Sequence, residues 1–260
     1  MKKIIAILIT VFSFLQINLF AQTENEPIKD YTHGILRSLA AGVEYRVKAG
    51  VLIGGMSPIP VPLEIQKINS FNPLLNLMLE AEIQKSFDKQ WALSFGLKME
   101  QKGMKTQAQV KNYAMELIQQ DGSIAGVWYG GVKTTVNNSY LTLPVLAVFK
   151  PAQRWGIKLG PYISYLISGA FSGDVYDGYL RVGNPTGEKM EILSAPYDFY
   201  EHLVKWNYGI QASTEFQAFP HLFAGLDFTW GINSIFPKDF KTMSFAMHPI
   251  YFALNFGYKF

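Results

Sequence analysis

From Val43 to Ile53 apolar and polar positions alternate without a break. Val43, Tyr45, Val47, Ala49, Val51 and Ile53 share one side of an extended chain; Glu44, Arg46, Lys48 and Gly50 share the other. A period of two predicts a β-strand with two chemically different faces. The pattern recurs to the end of the chain. In the second and third stretches Leu75, Leu77, Leu79 and Ile83 oppose Glu80 and Glu82, and Trp91, Leu93, Phe95 and Leu97 oppose Gly96, Lys98 and Glu100. "SYLTLPVLAVFK" is a fourth stretch, apolar on both sides. In the fifth, Trp155, Ile157 and Leu159 oppose Lys158 and Gly160. In the sixth, Trp206, Tyr208 and Ile210 oppose Lys205, Asn207, Gln211 and Glu215. The seventh sets Leu226, Phe228 and Trp230 against Asp227, and the last sets Phe252, Leu254, Phe256, Tyr258 and Phe260 against Asn255 and Lys259. The expectation is eight strands, an even number.

The connections alternate as well. "DKQ", "PAQR" and "FPH" are short, whereas Gly103 to Asn138 and Gly169 to His202 each span more than 30 residues. Tight turns at one end and large loops at the other are the asymmetry of outer-membrane barrels.

Alternation does not say which side faces protein and which faces solvent or lipid. Four features of the sequence point the apolar side outward, into lipid. Gly50, Gly54, Gly96, Gly156, Gly160, Gly209, Gly225, Gly231 and Gly257 all fall on the charged side. An eight-stranded barrel has room for long ionic side chains only where neighbouring lumenal positions are small. Bulky aromatics sit near strand ends on the apolar side: Tyr45, Trp91, Trp155, Tyr258 and Phe260 toward the short turns, and Tyr165, Trp206 and Trp230 toward the long connections. That is the placement of two interfacial girdles. The charged side carries both signs, and the register implied by the "DKQ" turn sets Glu80 opposite Lys98; in lipid each cation would cost about 2–4 kcal/mol at mid-depth. Finally, the chain ends on an aromatic-rich strand at Phe260. The fold class expected is therefore all-β, an eight-stranded antiparallel transmembrane β-barrel with short periplasmic turns and long extracellular loops. A secreted lipocalin-like barrel shares the strand count but has no need of glycines on its charged side.

Composition agrees. Of 260 residues 49% are hydrophobic and 15% aromatic, while 17% are charged, and the formal charge is +3. So small a charge, without a basic run, argues against nucleic acid. The absence of cysteine excludes disulfides, thiolate metal sites, cysteine nucleophiles and a lipidated amino terminus. "MKKIIAILITVFSFLQINLFAQ" has the layout of a secretory signal peptide with cleavage after Ala21. The expected organisation is a signal peptide over 1–21, a polar segment over 22–42 and the barrel over 43–260.

The chain resembles the PorT-like outer-membrane β-barrel proteins of Bacteroidetes from about Glu44 to Phe260. "KMEQKGMK", "SYLTLPVLAVFK", "GPYISYLISG" and "GLDFTWGINSIF" carry the likeness by their order and spacing. It implies an eight-stranded outer-membrane barrel without catalytic residues. One branch of the family contributes to a protein secretion apparatus; nothing in these residues assigns the chain to that branch.

For candidate chemistry, a porin-like aqueous pore conflicts with the strand count, because eight strands leave a lumen filled by side chains. The expected lumenal charge network is Glu44, Arg46, Lys48, Glu80, Glu82, Lys98, Glu100, Lys158, Lys205, Glu215 and Asp227, in a structural role. A lipid-modifying enzyme needs a nucleophile and a base; His248, at the outer end of the last strand, is the candidate base, and Ser139, Ser168 and Ser244 fall near the same rim, but no spacing links one of them to His248 and an ordinary interfacial histidine is expected. Asp174 and Asp177 in a glycine-rich stretch offer hard oxygen ligands for calcium but lack the full loop motif, so turn-forming aspartates are expected and no metal or cofactor. Gly130–Gly131 lacks the strand–helix context of a phosphate loop. The long connections contain Tyr113, Trp128, Tyr129, Tyr176, Tyr179, Tyr197, Phe199 and Tyr200. These either face a protein or glycan partner or pack together on strands prolonged beyond the membrane. The remaining partners expected are outer-membrane lipid and lipopolysaccharide, and the assembly machinery acting through the C-terminal strand of a monomer.

Overall fold

The structure is a computed structural model that describes residues 42–119, 122–238, 240, 242 and 245–260. The expected signal peptide, His33 and Ser244 lie outside the described residues, as does the polar segment apart from Gly42. Eleven strands follow one another: β1 (Val43–Pro58), β2 (Ile65–Asn72), β3 (Asn76–Ser86), β4 (Trp91–Gln119), β5 (Gly122–Ala152), β6 (Trp155–Ser168), β7 (Phe171–Val182), β8 (Lys189–Asp198), β9 (Trp206–Gln217), β10 (Leu222–Gly231) and β11 (Met247–Lys259).

Eight of them close a ring. The order runs β1, β3, β4, β5, β6, β9, β10, β11 and back to β1, every pair antiparallel. Up to the level of Leu52 and Asn76 closure leaves no edge within the ring, as a lipid environment demands. The tight turns set the register. Asp88 caps the β3–β4 turn, its carboxylate accepting from the backbone N–H groups of Gln90 and Trp91, both at 2.7 Å. From there Glu80 falls opposite Lys98. A one-residue slip would exchange the two faces of each strand.

The segments expected as long loops are mostly strand. β4 runs for 29 residues and β5 for 31, where a membrane crossing needs about 9–11. The surplus forms an external sheet in which β2 adds to β4, and β7 and β8 follow β5. The sheet curls until β8 lies against β4. Two β-bulges explain why alternation does not reveal it. Between Val110 and Tyr113, β4 carries one residue more than β5, and Asn112 there has φ 57°. On β7 the extra residue is Asp177, with φ 50°. Asn and Asp are the non-glycine residues that visit this left-handed conformation most readily. Each bulge shifts the inward phase, from Met104 and Val110 to Tyr113, Met115 and Leu117 on β4, and from Phe171 and Val175 to Leu180 on β7.

Candidate functional site

The interior has two storeys. The lower one, toward the short turns, is ionic. Among the described residues its buried charges are five cations (Arg46, Lys48, Lys98, Lys102, Lys158) and five carboxylates (Glu80, Glu82, Glu100, Glu215, Asp227), so their formal charges cancel. Inward positions on β1, β3, β4, β6, β9 and β10 supply them. Glu82 accepts from Arg46 at 2.9 Å and lies 2.7 Å from Lys48; Lys158 reaches it from the facing wall. Glu215 joins Arg46 at 2.7 Å and Lys158 at 2.8 Å, and Glu80 joins Lys48 at 3.1 Å. A second cluster holds Glu100 between Lys102 at 2.9 Å and Lys98 at 3.3 Å, with the Thr142 hydroxyl donating to it at 2.7 Å. Taking any one of these ions out of water costs several kcal/mol, a penalty offset only when partners and hydrogen bonds are all in place.

Glycines make the space. A Cβ on Gly96 would stand 2.5 Å from the Glu80 carboxylate, and one on Gly257 would fall 2.2 Å from the Phe223 ring. Phe223 closes the turn end from inside, and the Arg46 guanidinium stacks over it at 4.0 Å from the ring centroid. At the other limit of the ionic storey the Lys102 ammonium faces the rings of Tyr140, Tyr162 and Tyr251 at 5.5, 5.3 and 5.8 Å.

Above that level the interior turns apolar. Met104, Leu117, Trp128, Val175 and Leu180 are buried inside the external sheet. The connection before β11 folds in over them: Phe236 meets Phe171 at 4.8 Å and Phe240 at 5.0 Å. Among the described residues, ion pairs fill the lower interior and aromatic rings lie over the upper.

Several expected positions differ. Lys205 is exposed, not lumenal. Its parity is inward, but it lies past the last β6–β9 pair, Tyr165 with Trp206, so its long side chain reaches water at the rim. Glu44 sits half-buried at the turn-end rim, 3.8 Å from Lys259, outside the closed network. Lys102 was missing from the expected network, although its spacing of two from Glu100 places it on the same face. Tyr113, Trp128, Tyr197 and Phe199, expected on the external connections, are buried; the β4 bulge turns Tyr113 inward, and Trp128 keeps the inward phase of Val132 and Val136 on β5. Tyr129, Tyr176 and Tyr179 stay half-buried and Tyr200 exposed.

The outward aromatics form two levels. Toward the turns are Tyr45, Trp91 against Phe149, Trp155 against Phe216, and Tyr258 against Phe260, the three pairs each at 5.0 Å; toward the extension are Trp230 and Tyr165 against Trp206 at 4.9 Å. His248 is half-buried, and its Nδ1 lies 3.0 Å from the carbonyl of Gly231. Asp174 and Asp177 are exposed on β7, and no group of three potential metal ligands occurs among the described residues.

A closed antiparallel ring, aliphatic and aromatic outside and ionic within, is an integral β-barrel of a membrane. A family model described as outer membrane protein beta-barrel domain matches residues 20–237. The chain belongs to that family and resides in the cell outer membrane. No curated protein matches it. Among solved structures, Ail, the attachment invasion locus protein of Yersinia pestis, in complex with the heparin analogue sucrose octasulfate, is 10% identical over 84% of this chain and 99% of its own, with a TM-score of 0.38. Neisserial surface protein A is 8% identical over 85% of this chain and 98% of its own, with a TM-score of 0.33.

Proposed function

We propose that this protein is a non-enzymatic, monomeric outer-membrane barrel that carries no current and holds an external β-sheet out as a binding platform. The observation that carries the reading is the charge-balanced lumen beneath an apolar cap. A pore would need a hydrated path; here nine of the ten buried ionic groups are held in ion pairs, across the bore from Glu82 and Glu215 and along β4 at Glu100, and Asp227 is buried among them. The external sheet supports the binding half. On its outer face Tyr129 and Tyr179 stack at 4.9 Å, with Lys189 4.7 Å and Arg181 5.7 Å from the Tyr179 ring. Rigid aromatic rings flanked by cations suit a partner with planar or acidic groups. The motif resemblance supports a PorT-like member, and β11, with its aromatic outward face, supports insertion by the assembly machinery into lipid and lipopolysaccharide.

A photo-reactive residue at position 129 or 189 in intact cells tests the platform. The expected result is a discrete crosslinked species; its identity as a secretion-apparatus subunit would favour a secretion component instead. Folded barrels that yield no crosslink above that of a control at Leu226 would remove the binding role. In planar bilayers the expected record is flat, and stable large conductance steps would overturn the closed lumen.

A further inference from the structure

The ring is complete only in its lower part. Pairing of β1 with β3 stops at Leu52 opposite Asn76, yet β1 continues to Pro58 along β11. β2, the next element round the wall, pairs with β4 and not with β1. Above Leu52 the inner wall is therefore split by a seam between β1 and β2. At the seam the backbone N–H of Met56 donates to the Met104 sulfur at 3.2 Å, a weak acceptor where a strand neighbour would supply a carbonyl.

Behind the seam lies a cavity of about 410 Å³. This is within the range of small-molecule sites, roughly 300–1,000 Å³. Its inner wall is Met56, Met104, Val110 and Val132, and its mouth is Ile68, Phe71, Ile250 and Phe252; no charged side chain among the described residues lines it. Phe71 and Phe252 are more than half exposed, so the apolar lining runs without interruption into the lipid-facing wall. The level is set by register: Gly55 pairs with Ile250, and Ile250 with Trp230 of the outer aromatic level. The mouth therefore opens sideways at the outer boundary of the hydrocarbon layer.

From these observations we infer that the β1–β2 seam admits one acyl chain of a membrane amphiphile, which lies in the apolar cavity with its headgroup at the outer interface. An uncharged cavity continuous with the lipid surface selects for hydrocarbon, and its position at the interface leaves the polar end of the amphiphile in water. The split wall allows entry from the membrane plane without passage through the capped mouth. The inference rests on the membrane placement and is independent of the external binding face.

The test uses outer membranes containing the full protein, supplied with a diazirine-bearing fatty acid or a diazirine-bearing phospholipid. The expected result is labelling concentrated on peptides carrying Met56, Phe71 and Met104. Labelling by the fatty acid alone identifies a free acid as the source, and labelling by both probes identifies a lipid chain. In Ala108→Trp, which fills the cavity from β4, labelling at Met104 falls about tenfold, while labelling near Leu159 on the far wall is unchanged. If that variant fails to show the heat-modifiable gel mobility of a folded barrel, Gly55→Leu fills the cavity from β1. Labelling spread evenly round the wall, or unaltered in a folded filled variant, overturns the inference.

Discussion

Glu82 on β3 and Lys158 on β6 meet across the bore of the barrel, with β4 and β5 between them one way round the ring. Glu82 also holds Arg46 and Lys48, so a single carboxylate ties three cations from two walls. Cross-bore bonding of this kind couples strands that share no backbone hydrogen bond.

Replacing Glu82 by Leu takes one carboxylate from three buried cations and leaves them to share Glu215 and Glu80. The expected loss is about 3–5 kcal/mol, the cost of removing one partner from a buried ionic set. Urea unfolding in vesicles measures it. Combining Glu82→Leu with Lys158→Met removes one of those cations and is expected to recover part of the loss; a double variant no better than the single would contradict the cross-bore pairing.

Gly257 and Phe223 share one volume. Gly257→Ala should cost about 1–3 kcal/mol by overpacking, because its methyl falls 2.2 Å from the tip of the Phe223 ring. In a Phe223→Ala background the added cost of Gly257→Ala should largely vanish. Equal destabilisation with and without Phe223 would show that the ring is not the obstacle.

The membrane boundary predicts opposite responses at two exposed leucines. Leu226→Arg on the outward face of β10 should cost about 2–4 kcal/mol, the depth-dependent price of a cation in hydrocarbon. Leu193→Arg on β8 of the external sheet, 87% exposed, should change stability by no more than about 0.5 kcal/mol. Refolding into bilayers of each variant compares them directly.

A single alanine inserted between Asn112 and Tyr113 advances the phase of β4 by one more residue and sends Tyr113, Met115 and Leu117 to the outer face. The external sheet should lose its core while the ring below persists. Limited proteolysis should then cut within 104–135 and leave the barrel's heat-modifiable mobility intact.

Burial raises the Tyr113 phenol, and the Glu64 carboxylate adds to it; burial likewise raises Tyr197, against the hydrogen bond from Thr134. Both tyrosines lie in the external sheet. Their neutral form is the folded form, so the stability they contribute is complete below the ordinary tyrosine value of about 10 and is lost as pH climbs through their raised values. Absorbance titration should show these phenols ionising late, together with loss of the external sheet. Tyr197→Phe should remove part of the late class.

The alternation from Val43 to Ile53 and its recurrences were sufficient for the eight ring strands and for the side of each that faces lipid. A period of two leaves one freedom, the choice of face, and the glycines on the charged side settled it: an ionic lumen eight strands wide needs neighbours without side chains. The Glu80–Lys98 register was likewise readable from a tight turn. What stands across the bore was not, because Glu82 and Lys158 are distant in sequence and adjacent only once the ring closes. Lys98 shows the same limit: it faces Glu80 in register, yet its ion pair is with Glu100 at 3.3 Å. The external sheet was hidden by Asn112 and Asp177, since one inserted residue reverses the phase on which a strand is recognised. The seam beside β1 is a property of where β3 ends relative to β1. Local pattern determines the faces of a strand; strand offsets, bulges and contacts across the interior are decided by closure of the barrel.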